Sequence, residues 1–128
     1  MVSVALAEAL VERFRLLVPA DVLVMNDQDM VVLRRDATHG WIGVGLDVKD
    51  TASDLEIERA THGALRALQE FMCEQFGQPW PTPVLPSGAS PVKDEAGVCV
   101  EASQIHLWFG DADAPALRLA SIDRDTLR

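Results

Sequence analysis

Apolar residues recur every three or four positions in two stretches of this chain and every second position in most others, and these two periods predict its elements. Leu6, Leu10, Phe14 and Leu17 form one stripe with charges opposite, so residues 3–17 read as a helix that Pro19 ends. The second helix has the stronger signals. Ser53-Asp54-Leu55-Glu56 is a capping box, and Ile57, Ala60, Ala64, Leu65, Leu68, Phe71, Met72 and Phe76 form a buried stripe. Gly77 stands where a left-handed cap belongs. Gly63, inside that helix, costs ~1 kcal/mol relative to Ala and is read as allowing a close approach to a sheet.

The period-two runs are strands. Val22–Met25 and Met30–Arg34 are joined by Asn26-Asp27-Gln28-Asp29, a composition suited to a four-residue hairpin loop. After the polar break at 35–40 comes a strand over 41–48, and further strands follow the second helix at 98–103, 105–109 and 116–120. Residues 110–115 form the last turn, and 121–127 add one helical turn. The order α-β-β-β-α-β-β-β has no βαβ regularity. The expected fold class is α+β, with two helices packed on a mostly antiparallel sheet in a single domain of residues 1–128. The connection at 78–91 carries five prolines and can be neither a central strand nor a helix.

The same alternation isolates two large aromatics. In Trp41-Ile42-Gly43-Val44-Gly45-Leu46-Asp47-Val48 the even positions are aliphatic, which sends Trp41 to the face shared with Gly43, Gly45 and Asp47. In Ile105-His106-Leu107-Trp108-Phe109 the core set is Ile105, Leu107 and Phe109, leaving Trp108 beside His106. Cys99, Glu101 and Arg118 belong to the same face by alternation. Two indoles on a nominally polar face need a cover. The chain offers three: the Pro-rich segment with Trp80 folding back as a lid, a second copy, or a foreign peptide or small molecule. The expected binding residues are Trp41, Trp80, His106 and Trp108.

Charge narrows the partners. Net charge is −9, with 8 acids against 5 bases in residues 1–50, 5 against 2 in 51–78 and 7 against 4 in 79–128. Acidity spread so evenly hides no basic patch, which argues against nucleic acid and against an anionic membrane. No run approaches the ~20 apolar residues of a membrane span, and Glu8, Glu12, Arg13 and Arg15 follow the first apolar residues at once.

Candidate chemistry is thin. Gly40-Trp41-Ile42-Gly43-Val44-Gly45 lacks the Gly-Lys-Ser/Thr ending of a phosphate loop. Its glycines are read instead as room for a ring to lie flat on the sheet. Asp111 and Asp113 lack the later ligands of a calcium loop and are read as turn residues. His39, His62 and His106 are dispersed, without metal-ligand spacing. Cys73 and Cys99 form no C-x-x-C pair and read as reduced packing residues of a cytoplasmic protein. No catalytic residue, metal or cofactor is assigned.

In size, acidity and element order the chain resembles the class I type III secretion chaperones and the bacterial proteins that share their fold. It differs in the Pro-rich insert and in a C-terminal segment, 121–128, shorter than that family's final helix. The resemblance implies a homodimer that holds an extended segment of another protein. The expected function is a non-catalytic protein-interaction module, chaperone-like or regulatory, binding a partner or itself through the aromatic face. The alternative is a small enzyme or ligand-binding domain whose pocket lies between that face and the Pro-rich segment, with His106, Cys99 and Glu101 as its polar groups.

Overall fold

The computed structural model describes residues 1–35, 40–81, 95–113 and 115–128. Helix α1 (Val2–Arg15) is followed by strands β1 (Val22–Asp27), β2 (Met30–Arg35) and β3 (Trp41–Gly45), and then by helix α2 (Asp54–Phe76). Strands β4 (Ala96–Glu101), β5 (Gln104–Gly110), β6 (Pro115–Arg118) and the two-residue β7 (Ile122–Asp123) come next, ahead of a 3₁₀ turn at Arg124–Leu127. The fold is α+β in the expected order. Its strands, however, are parted into two antiparallel sheets, β1-β2-β3 and β4-β5-β6 with β7 also on β5. His39 and most of the Pro-rich connection lie outside the described residues.

Both helices form where the apolar period is strongest. Leu6, Leu10 and Phe14 of α1 are fully buried. The helix ends at Arg15, four residues before Pro19, where the Leu16 and Leu17 N–H groups bond to the Arg13 and Phe14 carbonyls in a tighter turn. In α2 the Ser53 hydroxyl accepts from the Glu56 N–H at 3.2 Å and Gly77 takes φ 65°, so both caps are as the residues foretold. Thr61 joins the buried stripe with its hydroxyl unpartnered among the described residues. Gly63, by contrast, is exposed with open space around it, and no described strand approaches there.

One core unites the two sheets. Val22, Val24, Val31 and Leu33 from the first sheet and Ile105, Leu107 and Phe109 from the second are buried in the same cluster as both helices. A polar pin fixes the segment after β3: the Asp29 carboxylate accepts from the Ser3 hydroxyl at 2.9 Å, and that hydroxyl accepts from the Val48 N–H. This pin takes over where the ladder ends at Gly45, three residues before the expected end of the strand, as Asp47 turns to φ 49°.

The first hairpin is tighter than its composition suggests, and the second turns two residues inside the expected strand end. Asp27 pairs with Met30, so the first loop has two residues, not four, with Gln28 at φ 54°. Glu101 pairs with Gln104, and Ala102 and Ser103 turn the chain at φ 49° and 65°. Positive φ at both central positions matches the right-handed twist of the strands. Neither residue carries the Gly or Asn signal that would have revealed it.

Candidate functional site

The register places Trp41 where alternation put it. On the outer face of the first sheet, Leu23 lies opposite Arg34 and Arg34 opposite Trp41; Met25 is opposite Val32 and Val32 opposite Gly43. Asp27, Met30 and Gly45 complete the far end. The helices pack on the other side. Five large apolar side chains, Leu23, Met25, Met30, Val32 and Trp41, therefore share a face that the described helices leave open. Trp41 is 63% exposed, Leu23 47% and Met25 41%. The glycine beneath this face makes room for a thioether and not a ring: a Cβ at Gly43 would meet the Met30 Sδ at 2.8 Å.

His106 and Trp108 lie on the outer face of the second sheet, and no ladder joins that sheet to the first among the described residues. The indole of Trp108 covers itself. It lies across Gly97, its hydrogen-bonded neighbour on β4, so closely that a Cβ there would stand 2.3 Å from the ring. His106 faces Cys99 across the ladder, and its Nδ1 is 3.2 Å from the exposed Ser121 hydroxyl.

Trp80 lies on the core side. Its ring meets Phe109 edge-on at 5.2 Å, and Phe109 faces inward from β5 while Trp108 faces outward. The Gln69 amide holds the Trp80 carbonyl at 3.1 Å. The four expected binding residues thus fall in three places: Trp41 on one sheet, His106 and Trp108 on another, and Trp80 beneath the latter. A hollow of about 170 Å³ beside Trp80 is lined by Pro19, Met72, Phe76, Gln78 and Trp80. None of His106, Cys99 and Glu101 lines it.

Several other polar side chains bond to the backbone. His62 Nε2 lies 3.0 Å from the Ala96 carbonyl, and the Glu58 carboxylate accepts from the Val100 N–H at 2.9 Å, so α2 caps the free side of β4. Arg13 donates to the carbonyls of Ala9, Ala120 and Ser121; burial pushes its guanidinium below the ordinary value, with Glu12 opposing. Cys73 and Cys99 are free thiols on α2 and β4. No group of three or more metal-ligating side chains occurs among the described residues, and no described helix is long and apolar enough to cross a membrane.

No family model matches this chain, and neither a curated protein nor a solved structure is similar to it.

Proposed function

We propose that this protein is a non-catalytic interaction module that docks a protein partner on the outer face of its three-stranded sheet. The observation that carries this reading is the row of Leu23, Met25, Met30, Val32 and Trp41 on one pleated surface, three of them about half exposed or more. Large contiguous apolar patches on soluble domains mark interaction sites. Trp is also among the residues most enriched where interfaces concentrate their energy, and Met is enriched in interface cores. A flat sheet surface suits a protein partner better than a small molecule, which needs concavity. With the net charge of −9 kept off this face except at Asp27 and Arg34, the rest of the surface discourages nonspecific association.

The test compares proteins retained from the native organism by the wild-type chain, by Met25→Glu and by His106→Ala. A partner kept by wild type and His106→Ala but lost by Met25→Glu supports the reading. The same retained set for all three removes it.

A further inference from the structure

The outer edges of the two sheets are treated differently. Beyond β4, Glu58 and His62 hold two of the outward backbone groups, the Val100 N–H and the Ala96 carbonyl. Along β1, Arg15 donates to the outward Val24 carbonyl at 2.9 Å, and Arg13 holds the Ala120 and Ser121 carbonyls just after β6. Strand β3 carries no such contact among the described residues. The Leu46 N–H bonds to the Asp29 carbonyl, continuing the β2–β3 ladder, so even-numbered residues turn their backbone groups toward β2. Trp41, Gly43 and Gly45 therefore direct N–H and C=O away from the sheet, and no hydrogen bond to these groups is found among the described residues. This edge also lacks charge, proline and bulge, the usual guards against strand addition.

We infer that β3 pairs antiparallel with β3 of a second copy about a two-fold axis through Gly43, joining two three-stranded sheets into one of six. Trp41-Ile42-Gly43-Val44-Gly45 fits itself under that operation. Gly43 meets Gly43, Ile42 meets Val44 on the core side, and Trp41 meets Gly45 on the outer side. A Cβ at Gly45 touches nothing within 4 Å, so space for the incoming indole is already there. The molecule contains the same arrangement internally. Trp108 and Gly97 form a hydrogen-bonded antiparallel pair, as the Gly110 N–H to Glu95 carbonyl bond two steps along the ladder requires, and the indole lies flat on the glycine. Trp41 and Gly45 of a second copy repeat that pair twice.

The charges allow this contact. Two chains of −9 repel, yet the five-residue window carries no carboxylate. A foreign strand would find the edge equally open, but a second copy sets a glycine opposite Trp41 in register, as Gly97 stands opposite Trp108. Five paired residues per copy and two indoles bury on the order of 1,000 Å², the small end of specific interfaces. The inference rests on the proposed interaction role, because the joined sheet doubles the apolar face.

The test is amide exchange followed by NMR on the wild-type chain from about 5 µM to 1 mM, with sedimentation equilibrium in parallel. The expected result is a reversible dimer whose dilution removes protection from the Gly43 amide while Ile42 and Val44 stay protected throughout. Gly45→Glu, placed in open space, is expected to keep the fold and raise the dissociation constant roughly tenfold or more by blocking the seat of the indole. A monomer at 1 mM, or a dimer whose dissociation leaves Gly43 exchange unchanged, overturns the inference. If the dimer fails while Met25→Glu still loses its partner, the interaction role survives alone; a dimer whose partner binding is indifferent to Met25→Glu gives the reverse.

Discussion

At the residue scale, three positions separate what is optimised from what is not. Thr61 is fully buried with its hydroxyl unpartnered among the described residues, and a buried polar group without a bond costs free energy that an isosteric methyl does not. Thr61→Val is expected to stabilise by ~1 kcal/mol, read as an increase in the denaturant midpoint at unchanged slope. Gly63 faces open solvent in mid-helix, so Gly63→Ala should add about 0.5–1 kcal/mol. Gly97→Ala should do the opposite, losing on the order of 1–3 kcal/mol because the new methyl falls within the Trp108 ring. Near-ultraviolet circular dichroism, which reports how indoles are held, is expected to change in Gly97→Ala alone. A Gly97→Ala protein as stable as wild type would mean that Trp108 does not rest there.

At the scale of elements, the hairpin turn at Ala102-Ser103 holds two non-glycine residues at positive φ. Replacing both by Asn-Gly, the pair that best tolerates this geometry, is expected to stabilise by ~1 kcal/mol, measured by thermal unfolding as a rise of a few degrees. The turn also shows why some of the fold was not legible. Helices with caps and eight-residue apolar stripes declare themselves, as Ser53, Gly77 and the stripe from Ile57 to Met72 did. A two-residue turn of Ala and Ser declares nothing, because the register is set by inward-facing Val98, Val100, Ile105 and Leu107 and the turn conformation follows. Division into two sheets was equally silent, since alternation gives the face of each strand and not its neighbours. Trp41 and Trp108 were placed on outer faces by alternation alone. Their fates differ because of Gly97 on a neighbouring strand, a cross-strand fact. Trp80, with no periodic neighbours, gave no sign that its ring would rest on Phe109.

At the scale of the whole molecule, most of the apolar surface is consumed in one core; among the described residues Met1, Leu16 and Leu55 are exposed singly, while three others share a face. Leu23, Met25 and Trp41 stand exposed on the first sheet, while the second covers its own indole. Burying such residues against a partner is worth on the order of 25 cal/mol per Å², so the face supplies a strong drive for association if a complementary surface exists. The acidic remainder of the surface makes that drive local. The most direct measurement is photo-crosslinking in the native cell with a photoreactive phenylalanine analogue in place of Met25, compared with the same analogue in place of His106. Discrete adducts from position 25 and none from position 106 are expected. Adducts from position 106 alone, or none from position 25 in a folded protein, would contradict docking on the outer face of the first sheet.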